Sequence, residues 1–295
     1  MCYNIPKKEL GGNLMAVVLN GNLVAAKIKE DVVNTIAELE KKGKFPNLAI
    51  LRLGQNPSDI SYEKSIIKAC DKLGIKSTVF EKEVNLTTEE LVNLMNELNN
   101  DSNISGILLF RPLPKHIDEE KIRNSIIPSK DVDCMHPLNL AKIFEGNMGG
   151  FAPCTPKAAM EIMLYNQIPL EGKTVVVINR SMVVGKPLVM MLLEKNATVT
   201  ICHSKTNNLE EITRKADIVV TALGRPKFFG EKYFNEKSVI IDVGVSVTED
   251  GDLSGDVDYE NVVDMVDMIT PVPGGVGSVT TTILLDQVVK ACINN

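Results

Sequence analysis

Short apolar runs alternate with amphipathic segments along the first half of the chain. The runs have the length of buried strands and are bounded by turn residues, and we predict strands at residues 46–54, 77–84 and 105–114. The segments between them have helical spacing, and we predict helices at residues 61–73 and 87–100. Thr87 or Thr88 is the expected N-cap of the second helix, with Glu90 in its first turn. Because parallel neighbours need crossover helices, this alternation predicts a parallel, doubly wound sheet.

A stretch rich in glycine and proline, residues 146–156 (GNMGGFAPCTP), separates this half from a second alternating series. The second series begins with a helix at 157–165 and ends with a helix at 279–293 that we expect to pack back on the first domain. Its predicted strands are 174–178, 197–202, 217–223, 238–244 and 268–270. The fold class is therefore α/β with two doubly wound domains. The expected boundaries are 15–150 plus 279–295 for the first domain and 151–278 for the second.

Composition and charge narrow the classes of function. The 295 residues are 44% hydrophobic, enough for two cores, and the net charge of −6 argues against nucleic acid or an anionic membrane as partner. We expect a cytoplasmic protein, since no apolar run spans a bilayer and no secretory signal begins the chain. The six cysteines lack the spacing of zinc ligands, so we predict isolated buried thiols and no metal.

The first fourteen residues lack periodicity, whereas MAVVLNG from Met15 onward looks like a natural start. Gly11 and Gly12 could be encoded by GGAGG, a ribosome-binding sequence just upstream of a Met15 start codon. Residues 1–14 are therefore either a translated leader or a genuine disordered tail. N-terminal sequencing of the native protein distinguishes the two hypotheses.

The predicted strand at 174–178 runs into NRSMVVGKP (179–187) and then an apolar helix. A strand–turn–helix at the start of a domain is where the N–H groups of a helix N-terminus hold a dinucleotide pyrophosphate. Of the usual three glycines only Gly185 is present. Asn179 stands at the first glycine position, where asparagine tolerates a left-handed backbone. A purely structural strand–helix turn is the alternative.

The end of the next strand bears on the choice of nucleotide. NAD sites usually place Asp or Glu there to bind the ribose 2′-hydroxyl, but this chain has the sequence CHSKT at 202–206. Together with Arg180 in the first loop, Ser204 and Lys205 suit a 2′-phosphate, so we predict NADP. Solvated surface side chains are the alternative interpretation.

A set of motifs along the chain resembles those of one family, the bifunctional methylenetetrahydrofolate dehydrogenase/cyclohydrolases. The resemblance extends from about Leu19 to Cys292. Its motifs, in the family's order, are LRLGQNPSDISY (51–62), GILLFRPLP (106–114), KDVDCMHP (130–137), PCTP (153–156), NRSMVVGKP (179–187), CHSKT (202–206), IDVG (241–244) and TPVPGGVG (270–277). The resemblance implies oxidation of 5,10-methylenetetrahydrofolate with NADP, a Rossmann-like NADP-binding second domain, a homodimer, and a folate cleft between the two domains.

The resemblance also implies roles for individual residues. Tyr62 would stack on the folate with its flat apolar ring, and Asp133 would accept hydrogen bonds from the pterin. Gly277 and Thr280 would border the place where folate meets nicotinamide. The positions that would line NADP are Thr155, Arg180, Ser181, Gly185, Ser204, Lys205, Ala222, Val243 and Val245. By themselves, Tyr62 and Asp133 would more often be an ordinary core aromatic and a helix-capping acid.

The chain departs from the family pattern where the cyclohydrolase reaction needs proton transfer. The family lysine, four residues after the tyrosine on the same helix face, is Ile66 here, and its glutamine partner is Phe110. Helix geometry points Lys64 and Lys68 elsewhere. We therefore expect a retained dehydrogenase and a weak or lost cyclohydrolase. The alternative is a fully bifunctional enzyme in which Arg111 compensates for the lysine.

Two other classes of protein compete with this interpretation. Another two-domain Rossmann enzyme, such as an amino-acid or shikimate-type dehydrogenase, predicts an acid–base Lys/Asp pair and no TPVPGGVG loop. A catalytically silent folate- or nucleotide-binding protein is compatible with the altered face around Tyr62 and Ile66. Formation of NADPH from methylenetetrahydrofolate is the assay that separates the three.

Overall fold

The computed structural model describes residues 9–10, 13–14, 16–147, 149–248 and 250–294. The chain divides into two compact units. The first unit is Ala26–Cys154 with Thr281–Asn295, and the second unit is Met1–Ala25 with Thr155–Thr280. Residues 1–14, predicted to be a leader or a tail, lie outside the described residues apart from two short paired strands.

The strands and helices are described here in chain order. Up to residue 147 they are β1 (Glu9–Leu10), β2 (Asn13–Leu14), β3 (Val17–Val18), α1 (Gly21–Glu40), β4 (Asn47–Leu53), α2 (Pro57–Leu73), β5 (Lys76–Lys82), α3 (Thr88–Asn100), β6 (Gly106–Leu109), α4 (Glu119–Ser125) and α5 (Pro137–Phe144). From residue 149 they are α6 (Cys154–Tyr165), β7 (Thr174–Ile178), α7 (Gly185–Glu194), β8 (Thr198–Cys202), α8 (Leu209–Arg214), β9 (Ile218–Thr221), a 3₁₀ helix (Glu231–Tyr233), β10 (Val239–Asp242), β11 (Ser246–Val247), β12 (Leu253–Ser254), α9 (Tyr259–Val262), β13 (Met268–Ile269) and α10 (Val276–Asn294).

The sheet of the first unit is parallel, with the strand order β5–β4–β6. β4 lies in the centre, where Leu51 sits beside Phe80 of β5 and Leu109 of β6. Helices α2 and α3 are the crossovers that parallel pairing requires. An aliphatic core that includes Leu51, Leu91 and Met95 packs on this sheet and fixes the positions of its strand ends.

The sheet of the second unit is also parallel throughout, with the order β3–β13–β10–β9–β7–β8. Its inner strands β9 and β10 are buried at every residue, which is why they read as nearly continuous apolar runs. β7 lies between β8 and β9, so the chain extends the sheet first to one side of β7 and then to the other. The predicted α/β class is confirmed.

The structure corrects the predicted domain boundary near the N-terminus. The prediction puts residues 16–25 in the first domain, but β3 pairs in parallel with β13 and these residues belong to the second unit. Leu19 is fully buried, and its N–H donates to the Ile269 carbonyl oxygen (2.8 Å). A two-residue strand carries too short a pattern to reveal which sheet it joins, because that choice is made by tertiary packing.

Helix starts follow local capping chemistry. α2 begins at Pro57, four residues before the predicted start, because Asn56 caps it. The Asn56 side chain accepts a hydrogen bond from the Ser58 N–H (2.9 Å), and proline suits the first helical position. α3 has the predicted cap at Thr87, and Glu90 completes a reciprocal capping box.

Residues 281–294 of α10 belong to the first unit, whereas the predicted first domain begins again at residue 279. Gln287 secures them there: its fully buried amide donates to the carbonyl oxygens of Val132 (2.7 Å) and Ala152 (2.9 Å) and accepts from the Ala152 N–H (2.9 Å). By length and composition α10 could also cross a membrane, but 61% of its apolar window is buried inside the protein, as in a core helix.

The described cysteines are buried thiols, as predicted: Cys70, Cys134, Cys154, Cys202 and Cys292. Burial raises the pKa of Cys70 to about 12 and raises the pKa of Cys134 as well, so both stay protonated at neutral pH. Cys2 lies outside the described residues. Within the described part of the chain, no group of three His, Cys, Asp or Glu side chains could hold a metal ion.

Candidate functional site

Loops at the carboxyl ends of four neighbouring strands form the candidate nucleotide site of the second unit. Ile178 of β7 lies beside both Cys202 of β8 and Thr221 of β9, and Thr221 lies beside Asp242 of β10. The following loops therefore start at one edge, where the order of the strands reverses, and such edges bind nucleotides. These loops carry Arg180, Ser181, Ser204, Lys205, Ala222, Val243 and Val245.

Asn179 organises the loop between β7 and α7, but not in the predicted way. Its backbone does not adopt the left-handed conformation. Instead its side-chain oxygen accepts hydrogen bonds from the N–H groups of Ser181 (2.8 Å) and Gly185 (3.1 Å), and its amide nitrogen donates to the Ala222 carbonyl oxygen (2.6 Å). A side chain thus replaces the backbone freedom of a glycine and ties this loop to the loop after β9.

Gly185 begins α7 in close contact with that loop. A Cβ atom at this position would lie 2.1 Å from the Asn179 carbonyl oxygen, so a side chain does not fit here. The glycine lets the loop fold directly against the N-terminus of α7, which is where backbone N–H groups hold phosphate.

Arg180 and Lys205 bring positive charge to the same edge of the sheet. Both side chains are exposed, and in the part of the chain that the structure describes neither forms an ion pair. His203 orders the second loop: its Nδ1 accepts from the Lys205 N–H (3.1 Å), and its own N–H donates to Thr206 Oγ1 (2.8 Å). Two exposed cations, on loops that start at the same edge of the sheet as the loop of Ser204, suit a dinucleotide that carries a 2′-phosphate.

The buried Asp242 carboxylate at the end of β10 fixes the neighbouring loops. It accepts hydrogen bonds from the Thr221 hydroxyl (2.9 Å), the Gly244 N–H (3.0 Å) and the Val257 N–H (2.9 Å). Burial raises the pKa of Asp242 to about 6, and the charge of Asp256 adds to the shift. Asp242 belongs to the IDVG motif but is not among the predicted site residues, although an acid inside an apolar strand indicates a buried hydrogen-bonding role.

Asp256 fixes the loop after β9 in a similar way. Its fully buried carboxylate accepts hydrogen bonds from the N–H groups of Leu223 and Arg225. A Cβ atom at Gly244 would lie 2.2 Å from this carboxylate, so the glycine of the IDVG motif makes room for it. Sequence reasoning misses Asp256, because its surroundings show no motif.

Gly277 is the predicted border residue that the structure places beside Val245, one of the predicted NADP positions. It is exposed, and the nearest atom to a Cβ built on it is Val245 Cγ2, at 4.0 Å. Thr280, in the same helix, donates its hydroxyl to the Val276 carbonyl oxygen (3.2 Å). Thr155 lies in the first turn of α6, and among the described residues no hydrogen bond joins it to the other predicted positions.

The first unit presents an aromatic face made by Tyr62 of α2 and Phe110, which follows β6. The ring centroids are 5.6 Å apart with planes tilted by 33°. Tyr62 is 41% exposed and Phe110 only 9%. The Tyr62 hydroxyl shares a hydrogen bond with Thr281, and burial of this end, with the nearby charge of Asp133, raises the pKa of Tyr62. Tyr62 therefore offers an open ring with a tethered, neutral hydroxyl.

Ile66, one turn after the tyrosine, is fully buried and belongs with Glu63 to the inner stripe of α2. Lys64 and Lys68 are exposed, so the structure supports the expectation that neither takes the place of a cation at position 66. Positions 66 and 110, where we predict departures from the family pattern, lie on adjoining elements: Ile66 is on α2, and the ring of Phe110 contacts Tyr62 of the same helix.

A buried ion pair anchors α2 to the sheet. Arg52 of β4, 3% exposed, lies with its Nε 2.8 Å from Glu63 Oε2, and a second nitrogen lies 3.1 Å from Glu81 of β5. The hydrogen bond to Glu63 raises the pKa of Arg52. Sequence reasoning misses this pair, although an arginine within the apolar run LAILRLG is a signal for it.

The segment that contains Asp133 is held in place by hydrogen bonds to the neighbouring carboxylate of Asp131. Asp131, fully buried, accepts hydrogen bonds from the His136 N–H (2.9 Å) and the Asn139 side chain (2.8 Å), and burial raises the pKa of Asp131. Asp133 is partly exposed, and its Oδ2 lies 3.2 Å from Nη2 of Arg111. The KDVD motif contains two acids, Asp131 and Asp133, and the full burial of Asp131 identifies it as the structural one.

The chain is similar to known proteins over most of its length. The family model for the tetrahydrofolate dehydrogenase/cyclohydrolase catalytic domain matches residues 19–133, and the model for the NAD(P)-binding domain of the same family matches residues 153–295. The chain is 58% identical to the bifunctional protein FolD of Clostridium botulinum (strain Langeland), an alignment that covers 95% of this chain and all of that protein.

Solved structures show the same similarity. The bifunctional enzyme FolD, methylenetetrahydrofolate dehydrogenase/cyclohydrolase, from Campylobacter jejuni is 42% identical with a TM-score of 0.92, covering 95% of this chain and 99% of that one. The FolD of Trypanosoma brucei, complexed with NADP cofactor and inhibitor, is 32% identical with a TM-score of 0.89, covering 95% and 98%.

Proposed function

Because the chain belongs to the tetrahydrofolate dehydrogenase/cyclohydrolase family, we propose that it oxidises 5,10-methylenetetrahydrofolate to 5,10-methenyltetrahydrofolate with NADP and has weak or no cyclohydrolase activity. Membership confirms the predicted dehydrogenase class and a nicotinamide dinucleotide as the cofactor of residues 153–295. The observation that carries the proposed loss is the pair Ile66 and Phe110, both buried and apolar.

Hydride transfer asks the protein chiefly for alignment. The bound nicotinamide supplies the hydride acceptor, and the methylene carbon that gives up hydride becomes a nitrogen-stabilised cation. Side chains of Asn179, Asp242 and Asp256 hold the loops of the second unit through backbone N–H groups, which suits alignment without any proton-transfer group. Arg180 and Lys205 favour NADP over NAD, because each can neutralise a 2′-phosphate.

We assign pterin binding to the first unit. Tyr62 offers an exposed ring for stacking, and the hydrogen bond to Thr281 limits its movement. Asp133 offers carboxylate oxygens to the N–H donors of the pterin. In the second unit, Gly277, which has no side chain, lets a ligand approach the backbone beside Val245.

Hydrolysis of the methenyl cation needs a group that moves protons. Ile66 and Phe110 have none, and Tyr62 keeps its proton because burial raises its pKa. Arg111 is a poor proton shuttle, because an arginine guanidinium does not give up its proton in proteins, and its guanidinium is already paired with Asp133. The alternative, a bifunctional enzyme in which Arg111 compensates, predicts comparable rates for the two reactions.

Parallel measurement of the two half-reactions on purified protein tests the proposal. With methylenetetrahydrofolate and NADP, we expect NADPH and accumulating methenyltetrahydrofolate, both followed by absorbance. With methenyltetrahydrofolate alone, we expect hydrolysis above the buffer rate to stay below about a hundredth of the dehydrogenase rate, since a general acid–base group contributes about 10²–10⁴-fold. Comparable rates would establish the bifunctional alternative. No NADPH at saturating substrate would establish a silent folate- or nucleotide-binding protein.

Two further expectations stay predictions. The resemblance implies a homodimer, which sedimentation equilibrium of the purified protein checks directly. The cytoplasmic location expected from the sequence is checked by fractionation of the native cells.

A further inference from the structure

Arg111 and Asp133 form an ion pair beside the aromatic face of the first unit. Nη2 of the arginine lies 3.2 Å from Oδ2 of the aspartate, and the two side chains are 20% and 25% exposed. Surface ion pairs between flexible side chains contribute little to stability. This pair differs from them in being mostly shielded from water and in joining two segments whose backbones are fixed.

The segment of Arg111 is fixed by the sheet, since the Phe110 N–H donates to the Leu51 carbonyl oxygen of β4 (2.9 Å). The segment of Asp133 is fixed by the hydrogen bonds that Asp131 accepts from residues 135, 136 and 139. Two rigid backbone segments thus hold the two ends of the pair. Asp133 also lies close enough to the Tyr62 hydroxyl for its charge to act there.

We propose that Arg111 is a positioning residue, which binds Oδ2 of Asp133 and so orients Oδ1 toward the N–H donors of the pterin. The inference rests on the proposed folate binding by this unit. A carboxylate that is already oriented loses less side-chain freedom when a ligand binds, so the pair raises affinity through preorganisation. Arg111 then acts through Asp133 and does not itself contact the folate.

Two other roles for Arg111 make different predictions. If Arg111 bound the folate directly, removing it would weaken binding whether or not Asp133 were present. If Arg111 served as the cation of a cyclohydrolase, removing it would lower hydrolysis of methenyltetrahydrofolate and leave binding of unreactive folate unchanged. A double-mutant cycle with Asp133 separates these roles from positioning.

Calorimetric titration with tetrahydrofolate, which lacks the bridging carbon and cannot react, tests the inference. We expect Arg111→Leu to raise the Kd for tetrahydrofolate about tenfold, the factor that corresponds to about 1.4 kcal/mol, and to leave the Kd for NADP unchanged. Arg111→Lys keeps one charged donor and should recover part of the affinity. In the Asp133→Asn background, Arg111→Leu should have no further effect. In steady state, Arg111→Leu should raise KM for methylenetetrahydrofolate with kcat within about twofold, a split typical of lost ground-state binding.

Lys115→Gln is the matched control, because it removes one positive charge from an exposed residue of the same loop and should change neither constant. Unchanged tetrahydrofolate affinity in Arg111→Leu would overturn the inference, and so would an equal loss in the Asp133→Asn background. A wild-type protein that binds tetrahydrofolate but forms no NADPH would refute the proposed oxidation and leave this test intact. A wild-type protein that binds no tetrahydrofolate would overturn both.

Discussion

The nucleotide-side loops of the second unit and the aromatic face of the first unit use polar side chains in different ways. In the loops, Asn179, Asp242 and Asp256 bind backbone N–H groups, and their hydrogen bonds fix the shape of the edge. In the first unit, Phe110 of the aromatic face and Ile66 of α2 carry buried apolar side chains. Alignment is spread over many backbone contacts, whereas proton transfer depends on one or two side chains. We therefore expect a reaction that needs only alignment to tolerate apolar side chains at positions 66 and 110.

We expect the largest effect from a substitution at Gly185, where the loop after β7 packs against α7. Gly185→Ala places a Cβ atom 2.1 Å from the Asn179 carbonyl oxygen, so the loop must move away from α7. We expect kcat/KM for NADP to fall on the order of 10²-fold, as misplacement by about an ångström does elsewhere, while tetrahydrofolate binding persists. Gly230→Ala is the control, since nothing lies within 4 Å of its Cβ. Equal kcat/KM in both variants would refute the packing role of Gly185.

The next prediction concerns the pH dependence of the stability that Asp242 contributes. Because the folded-state pKa of Asp242, about 6, lies above its ordinary value of 3.8, the fold favours the protonated form. Its contribution to stability is therefore fullest below about pH 4 and is lost as the pH rises through about 6, a change of about 3 kcal/mol.

Denaturant titrations of the wild type and Asp242→Asn measure this change. The difference between their free energies of unfolding should shrink by about 2 kcal/mol from pH 4 to pH 7, since part of the change already occurs below pH 4. Asp250→Asn alters the charge of an exposed residue in the same unit and should show no such trend. A pH-independent difference for Asp242→Asn would contradict the raised pKa.

Ile66 and Phe110 can be replaced by the lysine and glutamine that the resemblance implies at these positions. Ile66→Lys with Phe110→Gln should raise hydrolysis of methenyltetrahydrofolate at least about tenfold, toward the lower range of general acid–base catalysis. Ile66→Met with Phe110→Leu keeps the face apolar and should leave hydrolysis at the wild-type level. Since a lysine at a fully buried position costs stability, circular dichroism must first show that the variant is folded. No gain in a folded variant would mean that other residues limit hydrolysis.

The smallest effect concerns the choice of nucleotide. Arg180→Gln removes an exposed cation from the nucleotide edge and should raise KM for NADP about tenfold while KM for NAD stays the same. Lys195→Gln removes the same charge just before β8, at the opposite edge of the sheet, and should alter neither value. Equal changes for the two nucleotides in Arg180→Gln would argue against a 2′-phosphate contact.

Local chemistry made part of this molecule predictable. The capping box at Thr87 depends only on residues three positions apart, and the β7 run TVVVI matches its strand residue for residue. The predicted start of α2 is four residues too late, because Asn56 and Pro57 are as typical of a turn as of a helix cap. The role of Asn179 was misread for a similar reason, since its type suits both a left-handed backbone and a side-chain cap.

The α/β class, the family motifs and the apolar residue types at positions 66 and 110 follow from the sequence alone, because periodicity, glycine positions and residue types are local properties. Tertiary packing is what joins β3 to the second sheet and brings Arg111 to Asp133. It also decided that Asp242 and Asp256 are buried anchors. These outcomes depend on which distant segments meet and on how much water they exclude, and no pattern along the chain records either quantity.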